Sequence, residues 1–410
     1  MKILTVCQYY YPEPFRIHEV CEELAARGHE VTVLTGLPNY PMGIIPDEYK
    51  DSRHRDETVN NVHIIRTREH PRTPGKVGLA RNYISYVWHA GLKALFMKKD
   101  FDVIFVYQLS PVLMAIPAYI AKWFSRTPCI ALYCLDLWPE SLLSLNVDKD
   151  GMLYRFMKYV SIRIYKGAHT IGYSSRLFKD YFNKELGITS GRFVHIPQFA
   201  DELFSALGSQ GSDDESKAQT VDYVFAGNVG NMQSVDTIIK AASLVKDDRI
   251  RWHIVGDGFA LDECRRLCDT MSLNDRITFY GRLPVEEMPR FYNMADAMIV
   301  TLSDDDLISY TLPGKIQSYM AAGKPVIAAA NGETQRVIKE SGCGLCAPAK
   351  DEKAFAAIAD ELASSPDLTG MGQNARKYYD EHFTKKNHVD LIEKMLTECR
   401  DITKKGETNG

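Results

Sequence analysis

The chain has 410 residues, 45% of them hydrophobic and 25% charged, with a formal net charge of −4. That is the composition of an ordinary soluble globular protein, long enough for two domains and without the net positive charge that would favour a nucleic-acid partner. The charge is unevenly spread: Pro71 to Asp180 carries 15 Lys and Arg against 7 Asp and Glu, +8, which leaves −12 for the rest and points to one basic surface.

Met1 to Val6 is too short an apolar run for a secretory leader and reads as a first buried strand. A loop follows, Gln8 to Phe15, rich in tyrosine and proline, and then a helix over Arg16 to Arg27 with Ile17, Val20, Cys21 and Leu24 on one face. Gly28 ends that helix and Val31 to Leu34 is the next strand, so the chain opens on a β-α-β unit and a parallel sheet. No glycine follows the first strand before Gly28, which argues against a dinucleotide site there. Loops at the carboxyl ends of such strands line ligand crevices. Tyr10, Tyr11, Arg16, Asn39 and Tyr40, in two of these loops, are therefore candidates for binding an acceptor, with packing around a rigid loop as the plainer reading of the tyrosines.

Two helices, 75–99 and 152–166, interleave aromatics with lysine and arginine: Trp88 and Phe96 beside Arg81, Lys93, Lys98 and Lys99, then Phe156 and Tyr159 beside Arg155, Lys158, Arg163 and Lys166. Helices of this kind either pack on a sheet with a solvated basic face or rest on an anionic membrane. Between them, Val103 to Ala121 has no charge for 19 residues, but Gln108, Ser110, Pro111 and Pro117 make it strand, loop and helix rather than a membrane span. Cys129 to Leu135 is a buried strand ending in Asp136-Leu-Trp-Pro-Glu-Ser141, where Asp136 and Glu140 are candidate catalytic carboxylates and Trp138 a sugar-binding surface. Helix capping is the alternative use of Asp136.

Ser205 to Thr220 has almost no large apolar residue and reads as a flexible insertion. A second β-α-β series begins at Val221, with Gly227-Asn228-Val229-Gly230 feeding a helix. Further on, Gly256-Asp257-Gly258 and Gly281-Arg282 end strands, and Ile308 to Ala329 reads as loop, helix, turn and strand. A loop of Tyr310 and Thr311 entering a helix at Pro313 and Gly314 leaves backbone N–H groups free for an anion, and Lys315 adds a point charge. This stretch reads as a phosphate cradle for a nucleotide-linked substrate. The nine cysteines are scattered, with one C-x-x-C at Cys343 and Cys346, and fit free thiols in a reducing, cytoplasmic compartment. No metal site is expected, and the acidic run Asp304 to Asp306 reads as a solvated loop.

Taken together, these segments resemble retaining glycosyltransferases of family 4. The likeness rests on Ala25 to Val33, Pro38 to Pro41, Asp136 to Ser141, Phe225 to Gly230, Val255 to Gly258, Gly281 to Pro284 and Tyr319 to Val326. It leans towards the subgroup that builds bacterial surface polysaccharides, including transferases for N-acetyl-fucosamine and colanic acid units. The resemblance implies a GT-B fold of class α/β, two Rossmann-like parallel-sheet domains facing across a cleft: 1–204 for the acceptor, a linker at 205–220, 221–385 for the nucleotide sugar, and a C-terminal helix and tail, 386–410, packing back on the first domain. It implies a nucleotide-sugar donor, UDP-linked by analogy with the subgroup, a glycan or polyprenyl-linked acceptor, no required cofactor, and a place in the cytoplasm or on the inner membrane face. Carried over, Gly281 and Arg282 would meet the base. Gly227, Asn228, Gly230, Pro313, Gly314 and Lys315 would hold the diphosphate, and Asp257, Tyr310, Thr311 and Ser318 are further donor-binding candidates. The family's two glutamates, eight residues apart, are replaced here by Tyr310 and Ser318, and its basic pair after the first strand of the second domain is missing at Asn228 and Met232-Gln233, so phosphate charge falls to Lys315 and Arg282. Two rival readings are a nucleotide-sugar 2-epimerase of the same fold and a non-catalytic sugar-nucleotide or membrane-binding protein.

Overall fold

Strand β1 (Lys2–Val6) lies near the centre of an eight-stranded sheet, bonded to β2 (Glu30–Thr35) on one side and β5 (Val103–Gln108) on the other. Ile3 pairs with Val31 and with Val103. A computed structural model describes residues 1–97, 100–124, 129–207 and 220–407. Lys98 and Lys99, and most of the expected insertion at 205–220, lie outside the described residues. The remaining strands of this sheet are β3 (Asp56–Val59), β4 (Val62–Arg66), β6 (Ile130–Cys134), β7 (Thr170–Tyr173) and β8 (Arg192–His195), in the order β3-β4-β2-β1-β5-β6-β7-β8. All pairs are parallel except β3 with β4. The all-apolar runs Val103 to Tyr107 and Ile130 to Cys134 suit strands covered on both faces. β3 has no such run, and sequence periodicity misses it. Its signal is the turn: Asn60 and Asn61 have φ of 49° and 62°, the left-handed pair that a two-residue hairpin demands.

A second sheet holds β9 (Val221–Ala226), β10 (Ile250–Val255), β11 (Ile277–Gly281), β12 (Ala297–Thr301), β13 (Val326–Ala329) and β14 (Gly344–Ala347). Its order is β11-β10-β9-β12-β13-β14, parallel throughout, the doubly wound arrangement. Side chains alternate along β9: Tyr223 and Phe225 enter one core with Trp252 and Phe355, and Val224 enters the other with Ile316, Tyr319 and Met320.

The chain divides into two compact units, Met1–Ile196 with Val389–Gly410, and Pro197–His388. The crossing after Ile196 falls earlier than the expected 204, because Phe204, in the short helix Glu202–Ser205, stacks on Tyr292 of the second unit at 4.8 Å. The helix Lys385–Glu407 contributes its later part to the first unit, where Arg27 binds Asp390 (2.7 Å) and Glu393 (2.8 Å). The charge-free run 103–121 is β5 followed by a 3-10 turn and the helix Ile116–Phe124, and among the described residues no helix is long and apolar enough to cross a membrane.

Candidate active site

In the second unit the sheet order reverses between β9 and β12, which opens a crevice at their carboxyl ends. The turn after β9 is held from below. The Gly227 N–H donates to the Val255 carbonyl (2.9 Å) and the Val229 N–H to the Asp257 carbonyl (2.9 Å). Glycine is needed where the two turns touch: a Cβ on Gly256, whose φ is +142°, would lie 1.7 Å from the Gly227 oxygen, and one on Gly258 would lie 2.3 Å from the Val229 oxygen. From the other side, the Thr301 hydroxyl at the end of β12 donates to the Gln233 carbonyl at 2.6 Å.

The helix Gly314–Ala321 is tied to the same place. The Tyr319 hydroxyl accepts from the Ala226 N–H (3.2 Å) and donates to the Ala226 carbonyl (3.1 Å), which ties the helix to the end of β9, and a Cβ on Gly227 would lie 3.1 Å from Lys315 Nζ, which puts that amine beside the turn. The Lys315 stem is half-buried but its amine is covered. Nζ stands 3.8 Å above the Phe225 ring and, among the described residues, finds no hydrogen-bond partner. Burial alone takes its pKa down to about 7. A covered amine without a hydrogen-bond partner, next to a glycine turn and a helix N-terminus, suits an anion.

The other residues expected in the cradle divide into two groups. Gly230 begins the turn towards the helix Val235–Ala242, and Asn228 Nδ2 donates to Gln233 Oε1 at 3.2 Å. Asp257 and Arg282 are exposed, and Gly281, with φ of +71°, ends β11 and accepts the Gly256 N–H at 2.8 Å. Thr311 caps the short helix Asp306–Tyr310 through Ile308, and Pro313 is the N-cap of the next helix. The Ser318 hydroxyl is turned back onto the Gly314 carbonyl of its own helix at 3.3 Å. Tyr310 and Ser318 therefore add no acidic group here, where the resembling family has glutamates.

The first unit has its own reversal, between β1 and β5. Asp136 follows β6 beside it. Burial raises its pKa, against the pull of the Ser110 hydroxyl and N–H, and the same hydroxyl accepts from Trp138 Nε1 at 2.9 Å. Tyr83 faces Arg72, Asp136 and Tyr40, and burial raises its pKa. Tyr40 packs on Phe15 (4.9 Å) and Tyr9 (5.7 Å), with the Arg72 guanidinium 5.5 Å over its ring. Trp138, Tyr40 and Asp136 thus share one region with three residues the sequence did not mark, Arg72, Tyr83 and Ser110.

Several expected site residues are used by the fold itself. Tyr10 is buried, with its hydroxyl beside Cys21, and belongs to the core rather than to a binding surface. Asn39 is buried and engaged on every side: Nδ2 donates to the Leu37 carbonyl (2.8 Å) and to Glu69, and Oδ1 accepts the Arg72 N–H (2.9 Å). Glu140 is also buried, with Oε1 accepting from the Tyr154 hydroxyl (2.6 Å) and Oε2 from that of Tyr181, which makes it a support for the loop. Tyr11 is exposed, and Arg16 opens the helix Ile17–Ala26.

Beneath this surface lies a buried carboxylate pair. Glu13 accepts the N–H groups of Tyr10, Asn39 and Tyr40, yet burial pushes its pKa up to about 7. Glu69 is held by Asn39, Gln8 and Asn82, and burial, reinforced by Glu13, pushes it well above the usual carboxylate range. The setting of Glu13 between Pro12 and Pro14, in the loop after the first strand, is the signal that could have marked it.

Residues 15–198 match the family model described as a glycosyl transferase 4-like domain, and residues 220–365 match that of glycosyl transferases group 1. The chain belongs to this glycosyltransferase family. Among relatives of the transferase, a probable glycosyltransferase, WbjE, of Pseudomonas aeruginosa is 27% identical over 65% of this chain and 68% of its own. The putative colanic acid biosynthesis glycosyl transferase WcaI of Escherichia coli is 24% identical over 82% and 84%. Solved structures share the GT-B fold: sucrose-phosphate synthase from Thermosynechococcus elongatus has a TM-score of 0.74 at 18% identity, covering 97% of this chain and 98% of that one. Anabaena Alr3699/HepE in complex with UDP scores 0.70 at 15% identity, over 97% and 100%.

Proposed function

We propose that this glycosyltransferase moves a sugar, with retention, from a nucleoside diphosphate donor to a glycan or lipid-linked glycan in surface-polysaccharide assembly. The observation that carries the donor reading is Lys315, a covered and unpartnered amine beside the Gly227 turn. A diphosphate there takes hydrogen bonds from the turn and from the first amides of the helix Gly314–Ala321, and Lys315 regains its proton as the anion arrives. Gly281 and Arg282 face the base. The bond from the anomeric carbon to the phosphate oxygen breaks, the acceptor oxygen forms the new bond on the same face, and its proton passes to the departing phosphate. Positive charge held at the diphosphate stabilises that departure. Asp136 orients a sugar hydroxyl. The colanic acid biosynthesis in the name of WcaI supports a polysaccharide setting, and the UDP bound in Alr3699/HepE supports a uridine donor. No metal or cofactor enters this reading.

The test combines a thermal-shift panel of UDP-, GDP- and ADP-sugars with nucleoside diphosphate release in the presence of lipid-linked acceptors, since a bound ligand raises stability. NMR of the product's anomeric proton reads retention. Binding without nucleoside diphosphate release over a range of acceptors would overturn the transferase assignment, and a donor epimer formed without any acceptor would support the epimerase instead.

A second reading concerns the first unit. We infer that it rests on an anionic membrane through three adjoining helices, Lys76–Phe96, Ile116–Phe124 and Met152–Gly167. Gly91 of the first packs on Ile120 of the second, and the Tyr119 hydroxyl of the second donates to Ile164 of the third. Their outer faces expose Trp88, Phe96, Trp123, Met152 and Phe156, with Phe96 and Trp123 each 84% accessible. Arg81, Lys93, Arg155, Arg163 and Lys166 are exposed among them. Apolar side chains ringed by cations are what an interfacial surface requires.

A further inference from the structure

A groove of about 660 Å³ in the first unit runs between the end of the helix Lys76–Phe96 and the edge hairpin of β3 and β4. It is lined by Lys50, Arg55, Arg66, Arg68, His89 and Lys93, with Leu92 and Phe96 at the helix side. Most of its charges are already answered. Arg66 is bound by Glu57 and the His54 carbonyl, Lys50 pairs with Asp47, and the groove's two carboxylates are taken by others, Asp51 by Arg53 and Asp56 by His63.

Arg55 and Arg68 are not answered. Among the described residues neither guanidinium has a carboxylate in ion-pair range, and the two sit close enough to repel: burial lowers the pKa of Arg55, and the Arg68 charge lowers it further. Two guanidinium groups that line one groove, repel each other and have no carboxylate in ion-pair range among the described residues suit a phosphate, which each can bind through paired N–H groups. The apolar neighbours say what the phosphate is attached to. Leu92 and Phe96 line the same groove, Trp88 is one helical turn back, and all three are exposed.

We propose that this groove binds the phosphate head of a membrane lipid, with Arg55 and Arg68 as the clamp, Lys93 at the rim, and Trp88 and Phe96 entering the bilayer beside it. The proposal rests on the membrane reading above and gives it a specific headgroup site, apart from the Lys315 cradle.

The experiment is co-sedimentation of the full chain with phosphatidylcholine vesicles, with and without phosphatidic acid. The unaltered protein is expected to pellet strongly only when the acid is present. In the Arg55→Gln/Arg68→Gln variant that preference should fall on the order of thirty-fold, at about a fivefold loss for each cation near an anionic surface. Trp88→Ser/Phe96→Ser should weaken sedimentation while keeping the preference for phosphatidic acid. The arginines lie at the surface without fold-holding pairs, and an unchanged melting curve verifies that the variant is folded. An arginine variant that pellets as well as the unaltered protein refutes the groove and leaves membrane association standing. No sedimentation of the unaltered protein on either vesicle refutes both.

Discussion

Replacing Lys315 with methionine removes the charge and keeps the stem against Phe225, so it isolates the role of the buried amine. Folding carries this amine from a pKa of 10.5 to about 7, because its covered position has no partner. Between those values the unfolded chain holds the proton more tightly than the folded one, so stability rises with pH across that window and the full penalty applies below about pH 7. The shift is worth roughly 5 kcal/mol, of which about 4 kcal/mol is still present at neutral pH. Lys315→Met should therefore stabilise the ligand-free protein by up to about 4 kcal/mol in urea denaturation at neutral pH, with the gain fading towards pH 10 or so.

The same substitution should damage donor binding. A diphosphate beside Nζ restores the charged form, and the protein takes up close to one proton near pH 8.5, between the free and bound pKa values. Calorimetric titration with UDP-sugar in buffers of different ionisation enthalpy reads that uptake directly. For Lys315→Met the uptake should vanish and affinity fall on the order of a hundredfold or more, equally for every sugar on the same nucleotide. Buffer-independent heats in the unaltered protein would refute the reasoning, as would a methionine variant that loses stability or changes its sugar preference.

Glu13 gives the opposite pH dependence. Its folded pKa of about 7 lies above the 4.5 of a free glutamate, so stability falls as pH rises through that window, by about 3 kcal/mol. Glu13→Gln should flatten that slope in denaturation curves taken at about pH 5 and pH 8, and an unaltered slope would assign it to other groups. Gly256→Ala places a methyl against the Gly227 oxygen and should cost about 3 kcal/mol or more and weaken donor binding, so a variant with unchanged stability and affinity would contradict the packed turns. Asp136→Asn and Glu140→Gln form a contrast in kcat and stability. The first should lower kcat by about a hundredfold or more with donor affinity kept, whereas the second should cost roughly 1–3 kcal/mol of stability with little change in kcat. The reverse pattern would return the catalytic role to Glu140.

The sheets were legible because their physics is local. Runs such as Val103 to Tyr107 and the glycine turns after β9 and β10 declare buried parallel strands and close backbone approach from a few consecutive residues. β3 was not legible from its side chains, since Asp56 to Val59 lies at the sheet edge and only the Asn60–Asn61 turn marks it. The sites follow the same division. Lys315 was visible from its place at a helix start, but its lost charge depends on Phe225 and Gly227, ninety and eighty-eight positions away in the chain. Asp136 and Glu140 have the same motif and the same strand end, and no sequence feature separates them. Tyr154 and Tyr181, brought in from two later helices, are what turn Glu140 into a support. Glu69 and Arg72 sit in a segment without periodicity, and only the fold brings them to the loop after β1.

Each unit keeps ionisable groups near or above neutrality in their uncharged forms, at the point where its sheet order reverses. In the second it is Lys315 beside the turn after β9, and in the first it is Glu69, with Glu13 near its midpoint, below the loop after β1. The two groups respond differently to a ligand. Lys315 has no partner, so an arriving anion can recharge it and convert its burial penalty into binding energy. Glu13 and Glu69 are surrounded by amide donors that are already placed, three backbone N–H groups on Glu13 and the carboxamides of Gln8, Asn39 and Asn82 around Glu69. These bonds tie the segment that presents Tyr40 to the loop after β1, and both carboxyl groups are buried away from a substrate. Proton exchange during donor binding should accordingly trace to the second unit, and the pH dependence of the first should appear in its stability, which separates the two titrations even though both fall near pH 7.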